Sequence, residues 1–155
     1  MTQVTLKLAQ REDVLPLIDL KVAADKAHFV SDNAKSLAQA AYEPGAYPFV
    51  IWHGETRVGL ALMLDWREAT YRDPADDPDA VFLWRLMIGE QFAGQGHGTA
   101  ALTWLIDWAR ARGAKRFVLS HMHENPAAAF YERLGFLPTG RTRYDGEDLE
   151  RALTL

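Results

Sequence analysis

The chain has 155 residues, 48% of them apolar, a formal net charge of −4 and no cysteine. One domain of this length buries roughly two-thirds of the surface of its unfolded chain, so a packed core is expected and a disordered chain is not. The acidic balance speaks against a general nucleic-acid binder, and the lack of cysteine excludes disulfides, thiolate metal sites and a cysteine acyl-enzyme. The N-terminal stretch through Leu8 carries no apolar signal core, and no run approaches transmembrane length. A cytoplasmic location and no membrane partner are therefore expected.

Val4, Leu6 and Leu8 alternate with Thr5 and Lys7 as in a half-buried strand. Glu12 and Asp13 open a helix that the pattern carries to about residue 24, with Pro16 tolerated in its first turn. Residues 25–33 read as a loop. Ser31 or Asn33 then caps a second helix over residues 34–42, which Pro44-Gly45 ends. Residues 49–52 and 58–64 form a hairpin around His53-Gly54. Residues 67–79, with Asp73, Asp76, Asp77 and Asp79, read as a solvated connection, or else as an acidic rim that attracts cations. An apolar strand over residues 81–88 leads through a glycine turn into a helix marked by Ala101, Leu102, Leu105, Ile106 and Ala109, closed by Gly113. Phe117, Val118 and Leu119 begin another buried strand. Asn125 and Pro126 then cap and start a short helix over residues 126–134 that Gly135 ends. Residues 136–143 and 149–155 pair as a last hairpin.

The two strands flanking the long helix are joined by a crossover and are expected to be parallel, while the hairpins are antiparallel. The expected fold class is α/β (α+β): a mixed, mostly antiparallel sheet with a central parallel pair and helices on both faces, in one domain over residues 1–155.

Gly94-Gln95-Gly96-His97-Gly98 puts three glycines at alternate positions between a buried strand and a helix start. Glycine lets a ligand approach the backbone closely, and the first turn of a helix has amides without intrahelical partners at the positive end of its dipole. That is a site for phosphate or pyrophosphate. Gly96, Gly98 and Ala101 also satisfy the spacing of a dinucleotide fold, but such a unit needs a turn close to its strand, an acid downstream and a second βαβ unit. Here five residues separate Ile88 from Gly94, the first acid after the next strand is Glu124, and no second unit follows.

The glycine turn, followed by the segment from Asn125 through Tyr131 to Phe136, resembles the GNAT family of acyl-CoA N-acyltransferases. Trp84-Arg85-Leu86-Met87-Ile88, Leu20-Lys21-Val22-Ala23, Phe29-Val30 and residues 36–40 are similar to bacterial polyamine (spermine/spermidine) acetyltransferases. The resemblance implies acetyl-CoA as co-substrate and a small-molecule amine as acceptor. It places the pyrophosphate on backbone amides of Gly94, Gln95, Gly96, His97, Gly98 and Thr99, and the pantetheine arm along Leu86, Met87 and Ile88. Three positions depart from the family's usual residues. Ala93 stands where a polar side chain is usual, Gly89 where polyamine-like members carry an acid, and Asn125 one residue closer to Tyr131 than usual. Both Glu124 and Asn125 are left for the asparagine's role.

An amine attacks a thioester only when neutral, and its ordinary pKa is about 10, so the chemistry needs a proton exit and an acid for the departing thiolate. Tyr131 is the expected acid, since a phenol donates a proton without being ionised at rest. Glu43, Asp65, Glu68, His121 and Glu124 are candidates for the proton route. Glu43, Asp65 and Trp84 are the expected acceptor contacts. Asp32 and the acidic loop offer further charge, and Tyr42, Trp52 and Trp66 further apolar walls. His121 and His123 alternate without a convincing third ligand, so no metal is expected. A homodimer is compatible with the sequence, as are other amine acceptors (a protein N-terminus, an amino acid, an aminoglycoside) and a CoA-binding sensor without catalysis.

Overall fold

The computed structural model describes residues 3–155; Met1 and Thr2, part of the N-terminal stretch considered above, lie outside them. Seven strands form one sheet: β1 (Thr5–Leu8), β2 (Ala46–His53), β3 (Thr56–Asp65), β4 (Ala80–Ile88), β5 (Arg116–Met122), β6 (Leu137–Arg143) and β7 (Asp148–Thr154). Their order is β1-β2-β3-β4-β5-β7-β6. Every neighbouring pair is antiparallel except β4 and β5, which are joined by α3 (His97–Ala111). The expected mixed sheet with a central parallel pair is present.

Strand alternation sorts the side chains onto two faces. Phe49, Ile51, Met63, Val81 and Phe117 pack with Ala101, Leu102 and Leu105 of α3. On the opposite face Val50, Leu60 and Met87 pack with Leu17 of α1 (Val14–Asp19). Leu102 and Leu105 are fully buried, and each such side chain contributes about 2 kcal/mol relative to an exposed one. This fixes α3, and with it the glycine turn at its N-terminus, against β4.

The first helix is shorter than its pattern. It stops at Asp19, and Leu20 turns extended because the chain beyond it bonds to the turn after β4: the Glu90 amide donates to the Lys21 carbonyl at 2.7 Å. A 3-10 helix (Ala24–Phe29) occupies the expected loop. The cap of α2 (Asn33–Tyr42) is Asp32, whose carboxylate accepts from the Lys35 amide at 2.8 Å, and neither Ser31 nor Asn33. Asn33 is buried instead, donating to the Leu17 carbonyl at 2.7 Å, which ties α2 to the end of α1. Likewise α4 (Ala128–Arg133) begins two residues later than expected. Asn125 accepts from the Ala127 amide at 2.9 Å, capping a turn ahead of the helix.

The acidic loop is neither wholly solvated nor an open rim. Asp76 is buried and pairs with Arg141 at 2.9 Å and Arg143 at 2.7 Å, while Asp77 pairs with Arg116. These acids staple the β3–β4 connection to β5 and β6.

Candidate active site

The parallel pairing of β4 and β5 runs only from Ala80↔Arg116 to Leu83↔Leu119, although β4 continues to Ile88 and β5 to Met122. A bulge lies where the two strands part: Leu62 of β3 faces Arg85 and Met63 faces Leu83, which leaves Trp84 as the extra residue. A bulge bends its strand and increases local twist, so β4 leans away from β5. The opening is a cavity of about 830 Å³, lined by Leu83 to Ile88 from one strand and by Ser120, His121 and Met122 from the other. The exposed edge of β4 offers backbone donors and acceptors of the kind that an extended chain pairs with.

The cavity reaches both faces of the sheet. On the α3 side it is lined by Gly94, Gly96, His97, Gly98, Thr99 and Tyr131, and on the α2 side by His28, Phe29, Lys35 and Arg85. Gly96 caps α3 in the left-handed region, with φ of +84°, where glycine carries no steric penalty. The first helical bond runs from the Ala100 amide to the Gly96 carbonyl at 3.1 Å, so the amides of His97, Gly98 and Thr99 precede the intrahelical ladder. A Cβ on Gly98 would meet only Ile88, at an ordinary 3.8 Å. The fold itself does not require glycine there, and what the missing side chain leaves open is the approach to those amides. Helix start and strand edge together fit the phosphates and the extended arm of CoA.

Leu86, Met87, Ile88, Asn125, Tyr131 and Trp84 all line the cavity; Gln95 is exposed and lies outside the lining. Met87 turns its side chain away, into the core with Leu17 and Leu60. Glu124 is exposed and outside the lining, so Asn125 is the residue of that pair placed at the site. At position 89 a Cβ would come within 2.9 Å of the end of the Leu20 side chain, which would have to shift to make room.

His97 begins α3. It is buried, neither ring nitrogen has a hydrogen-bond partner among the described residues, and burial, then the charge of nearby His53, push its pKa down. The imidazole is neutral at pH 7, so His97 offers its backbone amide to a phosphate and not a cation. Tyr131 sits on α4 with its ring 5.7 Å from that of His121, and burial alone pushes its phenol up.

The acceptor candidates divide. Trp84 stacks on Tyr71 at 5.2 Å and forms part of the wall. Glu43 accepts from the Thr70 hydroxyl and the Tyr71 amide and lies outside the cavity. Asp65 is fully buried at the far end of β3, paired with Arg67 at 2.8 Å and Arg112 at 3.1 Å. Burial raises its pKa, but hydrogen bonds from Arg67 and Arg112 outweigh this and hold it below the ordinary carboxylate value. Glu68 pairs with Arg112 at 2.6 Å. Asp65, Glu43 and Glu68 thus hold the structure together away from the cavity, and the expectation that they meet the acceptor or its proton is corrected. Of Tyr42, Trp52 and Trp66, none lines the cavity. His121 does line it, but Nδ1 lies 2.9 Å from the Met122 carbonyl and Nε2 accepts from Arg151 at 2.9 Å. Both nitrogens are committed, so His121 is a poor base.

Sequence reasoning missed Asp148, which accepts from the Ser120 hydroxyl at 2.8 Å, together with Glu147, Glu90 and Arg85, all on the cavity wall. Arg85 had a visible signal, since it is the one charge inside an apolar strand. Asp148 had none, because only the pairing of β7 with β5 brings it there.

A cleft thus runs through the sheet, with a helix start suited to phosphate on one face and a second entrance on the other. The family model of the acetyltransferase (GNAT) family matches residues 17–136, and the chain belongs to that family. It is 36% identical over 63 residues to the uncharacterized N-acetyltransferase YobR of Bacillus subtilis (strain 168), a stretch that covers 40% of this chain and 26% of that protein. Among solved structures, the ribosomal-protein-S18-alanine N-acetyltransferase from Escherichia coli superposes with a TM-score of 0.71 at 22% identity, covering 98% of this chain and 94% of that one. The aminoglycoside acetyltransferase AAC(6')-Ib in complex with coenzyme A gives 0.78 at 18% identity, covering 98% and 95%. At these identities the likeness is one of fold.

Proposed function

We propose that this chain transfers the acetyl group of acetyl-CoA to a small primary amine by direct attack, with no covalent enzyme intermediate. The observation that carries the reading is the cavity through the sheet, with CoA-holding features on the α3 face, polar groups on the α2 face and Tyr131 on its wall. The amides of His97, Gly98 and Thr99 bind the pyrophosphate, and the edge of β4 orients the pantetheine arm. Tyr131 keeps its proton because burial disfavours the phenolate, and it gives that proton to the departing thiolate. Asp148 and Glu147 are the carboxylates near the acceptor entrance and take the proton of the amine through water.

Spermidine and spermine are the acceptors that the likeness to polyamine acetyltransferases favours. That reading counted on carboxylates that the structure commits elsewhere: Asp65 to two arginines, Asp76 to two more, and Asp32 to the cap of α2. Glu90, Glu147 and Asp148 are what the cavity offers a polycation.

The test is release of free thiol from acetyl-CoA across a panel of amines that includes both polyamines. The reading requires release that depends on amine and saturates with it. Tight CoA binding with no amine-dependent release would make the chain a CoA-binding sensor instead.

A further inference from the structure

We infer that the acceptor amine carries a carboxylate and that Arg85 on β4 binds it; this rests on the acetyl-transfer reading above. Most arginines of the chain are accounted for by ion pairs. Arg57, Arg67, Arg110, Arg112, Arg116, Arg141, Arg143 and Arg151 each meet an acid within 4.0 Å or less. Among the described residues Arg11, Arg72, Arg85 and Arg133 do not, and of these four only Arg85 is not exposed.

A guanidinium stays protonated in proteins and is costly to bury without a counter-charge. Arg85 is held in place by two neutral acceptors, the Gln39 side chain and the Trp84 carbonyl, each at 3.1 Å. Its five N–H donors are far from exhausted by these. The bulge at Trp84 puts Trp84 and Arg85 in succession at the opening between β4 and β5. The guanidinium lies over the Trp84 ring, 5.4 Å from its centroid, within cation–π reach of an apolar wall.

The phosphates of CoA are not its partner. Their cradle is at the Ile88 end of β4, where Gly98 meets Ile88, and three residues of strand put Arg85 roughly 10 Å further along. Arg85 also bonds to α2, on the face away from α3. Beyond ion-pair distance Arg85 feels Tyr144 and Tyr71 and then one carboxylate, Asp148, which accepts from the Ser120 hydroxyl at 2.8 Å. An unmatched guanidinium and a separate carboxylate along one wall are the complement of a zwitterion. Arg85 takes the carboxylate as a bidentate pair, and Asp148 with Glu147 faces the ammonium before it loses its proton. A polycation would bring no partner to Arg85 and would be repelled by it.

The experiment measures amine-dependent thiol release with α-, β- and γ-amino carboxylates, each beside the primary amide of the same skeleton, with an aminoalkyl phosphonate and spermidine alongside. The expected result is a kcat/KM at least about tenfold higher for the carboxylate of the best pair than for its amide. In Arg85→Gln that ratio falls toward one while acetyl-CoA affinity stays as in the wild type, and Arg85→Lys keeps part of the preference. Equal use of acid and amide by the wild type, an undiminished preference in Arg85→Gln, or a better rate with the phosphonate or spermidine would overturn the assignment. If Arg85→Gln does not fold, the wild-type ratio and Arg85→Lys decide. Absence of thiol release with every member is a different failure, that of acetyl transfer itself.

Discussion

A phenol enclosed by Phe130, Phe136 and His121 holds its proton to higher pH than one in water, because ionisation would leave a charge without solvent. On the proposed mechanism Tyr131 keeps its proton over the working range, and the amine is the group that titrates. From pH 7 to 9 the rate at fixed subsaturating amine should rise as the amine loses its proton, and loss caused by Tyr131 ionising belongs above its ordinary value of about 10. Tyr131→Phe removes the donor and little of the packing. It should lower kcat about a hundredfold or more with acetyl-CoA affinity nearly unchanged, as read by steady-state kinetics and a CoA titration. An unchanged kcat would make the residue structural. The sequence pointed to Tyr131 and Asn125 through motif position, and both line the cavity, but it could not show charge state or commitment. His97 stands among glycines in the turn, and its ring is buried. Asp65 looked like an available carboxylate, and two arginines hold it. Neither fact has a local signature, because burial and ion pairing join residues far apart in the chain.

Elements with strong periodicity and punctuation were legible. The pattern of α3 and its closing glycine match the helix His97–Ala111 with Gly113 at φ of +78°, and the strand before it matches Ala80–Ile88. Where a tertiary bond competed with propensity, the tertiary bond won: the carbonyl of Lys21 accepts from Glu90 and the first helix ends early. The glycine turn yields a test of its own. A glycine inside a helix costs roughly 0.5–1 kcal/mol relative to alanine, yet Gly98 has room for a Cβ. On the proposed reading its lack of a side chain serves the ligand. Gly98→Val should leave the unfolding temperature within a few degrees of the wild type, while CoA binding weakens about tenfold, as roughly 1–3 kcal/mol of overpacking implies. Calorimetric titration with CoA gives the second number, and unaltered affinity would remove the pyrophosphate from this turn.

For the whole molecule, the crossover through α3 foretold that β4 and β5 are parallel, and the hairpins foretold the antiparallel remainder. The insertion of β7 between β5 and β6 was not legible, because a hairpin can dock by either strand. That choice brings Asp148 to Ser120 and onto the cavity wall. The bulge that opens β4 from β5 was equally hidden, since no glycine or proline marks Trp84. Family membership therefore came from local motifs, while the two-sided cavity came from topology. Among the described residues no helix is long and apolar enough to cross a membrane.

The central claim is that acetyl moves from the thioester to an amine bound at the opposite entrance. Acetyl-CoA labelled in its acetyl group, incubated with the protein and the best amine of the panel, tests it directly by mass spectrometry of the small-molecule fraction. Direct transfer puts the label on the amine nitrogen in step with the CoA released, with none held covalently on the protein. Label recovered as free acetate, or on a protein side chain, would contradict it.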